Sequence, residues 1–380
     1  MPRWRRLPYQ AGAIGQPEPP HAVLRSTIRP GRPPCTAVAP GRADIAAPAA
    51  IRAASGTVGD GMTGSGPTTG DRLDWLFVMP GRPNSGWILE AICREIGSRQ
   101  PGSWQIAHQL KQLPPARHYF FAHYSTYIYH ARHNPHIFDG STLVWYTHPR
   151  DIDVSVEDQL AAFNKAHRIV FTCSGHARAW RRIGLEPGRS CVVLGGADPD
   201  VFRAHRRGGS VVGLSSAFYE RKRPLALLDL VHRMPHRSFV LVGRNWRAFD
   251  RFDRLAAAPN FSYLEEPYEN YPGIYDRFDV FLSLSTLEGG PIPLIETMMA
   301  NAVPVASRTG FAPDIITHGR NGFLFDTEAP PDEIADLIER AFALETDIRP
   351  TVVDYSWDRF AAAVARHAEG RYASPDPASG

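Results

Sequence analysis

From residue 74 onward apolar residues gather in short runs separated by amphipathic stretches; before it they do not. "DWLFVMP" is a continuous apolar run of strand length, a Gly/Pro/Asn/Ser loop "GRPNSG" follows, and "WILEAICREIG" has helical spacing closed by glycine. "WQIAH", "HYFFAHY", "TLVWYTH", "RIVFTCS" and "CVVLGG" read as further strands, with "VEDQLAAFNKA" and "HARAWRRIG" as helices between some of them. A second series opens at "SVVGLSS". It runs through the helix "PLALLDLVHRM", the strands "SFVLVGR", "FSYLEE" and "YDRFDVFLSLS", the helix "PLIETMMAN", the strand "AVPVASR" and the helix "PDEIADLIERAFAL". Strands alternating with helices predict parallel sheets covered on both faces. The turn signal "GGADPDVF" at 195–202 marks the joint between two such units. The predicted class is α/β, two doubly wound domains whose strand carboxyl ends face a cleft, the usual ligand position in such sheets.

Composition separates the first 70 residues from the rest. They are rich in Pro, Gly, Ala, Ser, Thr and Arg and lack either apolar period, so they cannot bury enough to offset the entropy of ordering. Eight arginines against Glu18, Asp44 and Asp60 give this segment an excess of +5, so with a total of +3 the remainder is −2. The basic balance belongs to the tail and carries no nucleic-acid signal. The segment is expected to be disordered or a misassigned extension, with translation beginning at Met62; a transit peptide and an arm for an acidic surface are the alternatives. No apolar run approaches the roughly 20 residues that cross a bilayer. Cys35, Cys93, Cys173 and Cys191 show neither disulfide nor zinc spacing, which fits a reducing, cytoplasmic setting. Only three of the 42 basic residues are lysines, Lys111, Lys165 and Lys222, so a lysine in a motif is worth weighing.

The richest stretch is "STLEGGPIPLIETMMANAVPVAS", residues 285–307. A strand delivers the chain to Leu287 and Glu288, "GGPIP" turns it, and a helix is expected to start around Pro291 to Pro293 and end near Asn301. Amides at that start, beside the bare Gly289 and Gly290, suit an anionic group. Glu288 before the helix and Glu296 within its first turn or so can face one pocket and grip vicinal hydroxyls. Spacing alone equally allows helix capping by Glu296 and a solvated Glu288.

"EGGPIPLIETMMANAVPVASRTGFAPDIITHGRNGFLF" resembles the donor-site segment of retaining glycosyltransferases of family 4, the glycosyltransferase group 1 proteins of the GT-B fold. "VVLGGADPDVF" is similar to that family's linker and "YSWDRFAAAVARHAEGRY" to its closing helix, so the resemblance spans most of residues 72–375 in order. It implies two Rossmann-like domains, with residues 71–200 taking the acceptor and 201–350 the nucleotide sugar. Residues 351–380 would form a helix crossing back to the first domain, and a tail. It implies that Glu288 approaches the transferred sugar, that Glu296 holds the ribose, and that Gly289, Gly290 and Pro291 lie close to sugar or phosphates. Lys222 matches a lysine that pairs with the diphosphate. The arginine five residues before it is replaced by Ala217, which leaves Arg221 or Arg223 to supply a second charge. His148 ends "LVWYTH" where the family often has a histidine facing the sugar. Asn84, Ser85 and Gly86 resemble the loop near acceptor and phosphates, and Gly310 and Asp314 a loop near the donor.

The resemblance thus implies a metal-independent, retaining hexosyltransferase moving a sugar from a nucleoside diphosphate to an acceptor hydroxyl in polysaccharide or glycoconjugate synthesis. Glu288, His148 and Lys222 would be catalytic, and Glu296, Gly289, Gly290, Pro291, Gly310 and Arg221 would bind the donor. No metal and no cofactor beyond the nucleotide sugar are expected, and no nucleic acid. Saccharide, lipid-linked or small-molecule acceptors are the expected partners, with peripheral contact at the inner membrane face an option. An epimerase or hydrolase of the same fold and a catalytically weak nucleotide-sugar-binding protein are the rival readings. A dehydrogenase is disfavoured because neither domain opens with the glycine fingerprint. The aromatic and histidine cluster "HYFFAHYSTYIYHARHNPH" is expected to pack internally, with an acceptor groove or a membrane surface as alternatives.

Overall fold

The computed structural model describes residues 72–81, 88–108, 110–150 and 152–370. Its first lobe runs β1 (Leu73–Met79), α1 (Ile88–Gly97), β2 (Trp104–His108), β3 (Ala116–Phe121), α2 (Tyr124–His133), β4 (Ser141–Tyr146), α3 (Val156–Phe163), β5 (Arg168–Phe171), α4 (Ser174–Arg182) and β6 (Ser190–Val192). Every strand pair is parallel and the order is β2-β1-β3-β4-β5-β6. The central strands are buried on both faces, as their near-continuous apolar runs require. One face packs Phe77, Phe120, Trp145 and Val170, the other Phe121, Val144, Ile169 and Phe171.

The second lobe runs β7 (Val211–Ser215), α5 (Pro224–Arg233), β8 (Ser238–Val242), α6 (Phe252–Ala256), β9 (Phe261–Leu264), α7 (Tyr271–Tyr275), β10 (Val280–Ser283), α8 (Ile292–Met299), β11 (Val303–Ser307), α9 (Ala312–Ile315), β12 (Phe323–Phe325) and α10 (Pro331–Phe342). These strands are also parallel, in the order β12-β11-β10-β7-β8-β9. The order reverses between β7 and β10, which makes the carboxyl ends of these two neighbours the switch point where a ligand crevice is expected. At the opposite ends the buried Asp279 carboxylate accepts from Gly208 N (2.8 Å), Gly209 N (2.8 Å) and Val211 N (3.0 Å), fixing where β7 starts beside β10.

The last helix, α11 (Trp357–Glu369), returns to the first lobe, as the sequence led us to expect. Trp357, Phe360, Ala361, Val364 and Ala368 recur at helical spacing and join the core face of Trp145 and Phe120. Full burial of each large side chain contributes about 1.5–3 kcal/mol. Gln100 Nε2 donates to Ala361 O at 3.0 Å, and the outgoing and returning crossovers pair through Ala197 N to Tyr355 O and Trp357 N to Ala197 O, both 3.2 Å.

Several local readings need correction. β10 covers only Val280–Ser283 of the strand expected from Tyr275; Tyr275 instead closes helix α7, and its ring and that of Phe278 are buried in the core ahead of the strand. β4 stops at Tyr146, which leaves His148 two residues beyond it. α8 starts at Ile292 and ends at Met299, so Glu296 lies in its second turn. Half of the aromatic and histidine cluster is α2, which buries Tyr124, Tyr127, Ile128 and His130. Its strand-favouring residues mask a helical spacing that tertiary burial enforces. Asn84, Ser85 and Gly86 lie outside the described residues. Cys93, Cys173 and Cys191 are buried free thiols.

Candidate active site

The loops after β7 and β10 meet at the crevice. After β7 the chain makes a 3-10 turn at Glu220–Lys222, then Arg223 takes a left-handed conformation (φ 54°) to enter α5. After β10 it passes Ser285 and Thr286 to Glu288. Thr286 N donates to Arg221 O (2.8 Å) and Arg221 Nη1 to Leu287 O (3.0 Å), which stitches the two loops into one unit. That contact decides between the two candidate arginines. Arg221 faces Glu288, whereas Arg223 Nη2 is turned to Ala329 O at 2.7 Å.

Glu288 Oε1 is the hub. It accepts from Arg221 Nη1 (2.9 Å), Ser285 Oγ (2.7 Å) and Lys222 Nζ, while Glu288 N donates to Thr309 Oγ1 (3.0 Å). Burial alone raises a carboxyl, but Lys222, Arg221 and the Ser285 hydroxyl outweigh it and hold Glu288 at about 2. Two cations share one carboxylate, so the cluster keeps a formal excess of one positive charge. A diphosphate is the kind of group such a cluster stabilises.

Glu296 sits in the opposite electrostatic setting. It is 1% exposed; Tyr268 donates its hydroxyl to Oε1, and Oε2 is buried without a hydrogen-bond partner. Burial raises its carboxyl to about 7, only partly offset by the hydroxyls of Tyr268 and Tyr275. The folded protein therefore holds a proton that the unfolded chain, with an ordinary value of 4.5, releases. Stability attached to Glu296 is full below pH 4.5 and falls as pH rises to about 7, by about 3 kcal/mol in all. Glu296→Gln should remove this decline, so urea titrations at pH 5 and pH 8 should show the variant gaining on the native protein between the two.

The glycines of the turn prove to be needed for packing as well as access. A Cβ on Gly289 would lie 1.8 Å from Thr147 O, and one on Gly290 2.8 Å from the Phe311 ring. Gly310 (φ 57°) lies against the same turn; its Cβ would meet Gly289 O at 2.5 Å. Pro291 and Pro293 have no N–H and Leu294 N already donates to Pro291 O (2.9 Å), so the expected helix-start donors narrow to Gly289, Gly290 and Ile292. Gly289→Ala should force the turn off Thr147 and misplace Glu288. Since a shift of 1 Å can cost about 100-fold in rate, the rate of a reaction carried by this site should fall by that order while the helical circular dichroism stays unchanged.

From the first lobe, His148 lies within electrostatic reach of both Arg221 and Glu288. Burial, then Arg150 and Arg221, lower it to about 4 although Glu288 pulls the other way, so it is a neutral imidazole at pH 7. Beside it His123 caps α2, accepting from Ser125 N at 3.2 Å on Nδ1. Tyr124 Oη accepts from Arg150 N (2.8 Å) and ties the His148 loop to α2. Asp314, expected near the donor, turns instead to the first lobe. Its carboxylate accepts from Ser174 N (2.8 Å) and Ser174 Oγ at the start of α4.

The crevice therefore gathers Glu288, Lys222, Arg221, Gly289, Gly290, Pro291, Gly310 and, across the lobes, His148, with Glu296 in the helix that follows. Ser285, Thr309, Tyr268 and Ser174 were missed by sequence reasoning, as was the pairing of Asp314 with Ser174. The hydroxyl-rich "SLSTLE" and "SRTG" around the glutamate hinted at the first two; nothing in the spacing pointed to the others.

These two facing parallel sheets with a returning terminal helix define the GT-B class. Among solved structures the chain is similar to Anabaena HepE in complex with UDP-glucose (14% identity, TM-score 0.61, covering 78% of this chain and 99% of that one). It is also similar to sucrose-phosphate synthase from Thermosynechococcus elongatus (13%, 0.61, 78% and 97%) and to the lipopolysaccharide outer core galactosyltransferase WaaB (13%, 0.60, 78% and 99%). No curated protein matches by sequence. Residues 202–355, which make up most of the second lobe, match the family described as glycosyl transferases group 1.

Proposed function

We propose that this protein is a retaining hexosyltransferase of family 4 type that moves a sugar from a nucleoside diphosphate to an acceptor hydroxyl held by the first lobe. The carrying observation is that Lys222 and Arg221 converge on Glu288 at the β7–β10 switch point, a cation pair at the place where a leaving diphosphate would develop charge. Arg221 answers the alanine at position 217, supplying the second cation from four residues further on. Glu296, with a buried carboxylate oxygen lacking a partner, suits ribose hydroxyls.

In this reading the diphosphate takes up Lys222, Arg221 and the glycine amides, which frees Glu288 to accept from a sugar hydroxyl. Neutral His148 then hydrogen-bonds the sugar or the acceptor from the other side. Catalysis consists of positioning and leaving-group stabilisation, without a dedicated general base. The protein cations take the role a divalent metal plays elsewhere, so transfer should survive EDTA. A polysaccharide, glycoconjugate or lipid-linked acceptor fits the same reading, with contact at a membrane surface; among the described residues no helix is long and apolar enough to cross a membrane.

Because HepE is seen with UDP-glucose, UDP-sugars lead a thermal-shift screen that also includes GDP- and ADP-sugars. A bound donor should raise the melting temperature by mass action. A screen in which none of them does so contradicts the reading.

A further inference from the structure

The carboxylate assigned to the ribose is closed off in this structure. Glu296 is 1% exposed; its Oε1 accepts from the Tyr268 hydroxyl and its Oε2 is buried without a partner. Nothing in the crevice can reach it unless a neighbour moves.

The groups around Glu296 differ in how firmly they are held. Tyr275 is fully buried on α7, its hydroxyl committed to Ser215 Oγ at 2.7 Å. Tyr268 stands on the 3-10 turn Tyr268–Asn270 between β9 and α7 and is 51% exposed. One side of its ring packs on Tyr271 (5.3 Å) and Phe202 (6.4 Å between centroids), and the rest faces solvent. An exposed aromatic ring thus sends its one polar atom inward to a buried carboxylate. A phenol hydroxyl and a ribose hydroxyl offer a carboxylate the same thing, a single O–H donor.

We propose that Tyr268 is an internal stand-in for a nucleotide ribose hydroxyl, holding Glu296 in the empty protein and giving way to the ribose when the donor binds. The proposal rests on the assignment of Glu296 to the ribose. It gives Glu296 Oε1 a donor while the site is empty. Donor binding then exchanges one hydrogen bond for another, and the apparent affinity is the intrinsic one multiplied by the share of molecules in which Tyr268 is open.

Calorimetric titration of UDP, GDP and ADP at pH 8 into the native protein, Tyr268→Phe and Glu296→Ala separates the possibilities. For the best nucleotide, Tyr268→Phe should bind about five-fold more tightly, the factor that one net hydrogen bond corresponds to. Glu296→Ala should bind at least about ten-fold more weakly, its ribose having lost hydrogen bonds to a charged group. Without nucleotide, Tyr268→Phe should also melt lower, so stability and affinity move in opposite directions. A purely structural tyrosine would lower both, and a tyrosine that stays bonded in the complex would weaken binding on removal. Either of those results, or an unchanged affinity, overturns the stand-in while the weakened Glu296→Ala leaves the ribose assignment intact. Unchanged binding by Glu296→Ala, or no binding of any nucleotide, overturns the ribose assignment and the stand-in together.

Discussion

Replacing Lys222 by alanine should lower kcat/KM for glycosyl transfer by about 10²–10³-fold, the usual cost of removing one group aimed at developing charge. Lys222 and Arg221 are the two cations on Glu288 Oε1, and Arg221 is partly committed to Leu287 O. Lys222 is therefore the freer of the two to follow a leaving diphosphate. Its loss also converts a cluster of two cations and one carboxylate into a neutral pair, which should weaken nucleoside diphosphates more than the bare nucleoside. Comparing UDP with uridine by calorimetry, alongside initial rates, checks both parts. Equal loss for the two ligands would mean that Lys222 does not meet the phosphates.

Glu288→Gln should act differently. The amide keeps the shape but not the charge, leaving two partly buried cations, Lys222 and Arg221 at 16% and 26% side-chain exposure, without a counter-ion. Nucleoside diphosphate binding should hold or improve, because the internal competitor for the cations is weakened, whereas kcat should drop by about 10²-fold or more. Stability should fall as well. Glu288 is held at about 2 against an ordinary 4.5, so its contribution is present above pH 4.5 and is lost as pH falls towards 2. That interval corresponds to about 3 kcal/mol, the range expected when one partner of a buried ion pair is removed. Urea titrations at pH 7 and pH 3 should show native protein and variant converging at the lower pH. A variant with unchanged kcat and unchanged stability would show that Glu288 is neither.

Most of the architecture was legible because apolar runs of strand length and amphipathic stretches carry their own period. β1, β7, β8 and α10 follow directly from such patterns. The boundaries around aromatic runs were not. Tyr275, read as the start of a strand, closes helix α7, and Tyr124–His133 is a helix rich in strand-favouring tyrosine; only burial against the sheets decides the matter. Within the site, Glu288, Glu296 and Lys222 stand out by motif and by the scarcity of lysine. The choice of Arg221 over Arg223 was not legible, since it depends on a left-handed residue at 223 that turns one guanidinium to Ala329. Tyr268 and Ser174 lie 28 and 140 residues from their partners, beyond any local spacing. The glycines were read as openings for an anion; the closeness of Thr147 O to Gly289 and of Phe311 to Gly290 adds a packing requirement visible only in three dimensions.

The measurement that bears most directly on glycosyl transfer is NMR observation of the donor's anomeric signal, with the best UDP-, GDP- or ADP-sugar, in the presence and absence of saccharide acceptors. The expected result is that the signal leaves the donor only when acceptor is present and reappears on the acceptor hydroxyl with the same anomeric configuration, in EDTA as without it. A donor consumed or epimerised without acceptor, or one that binds and is never turned over, would contradict it.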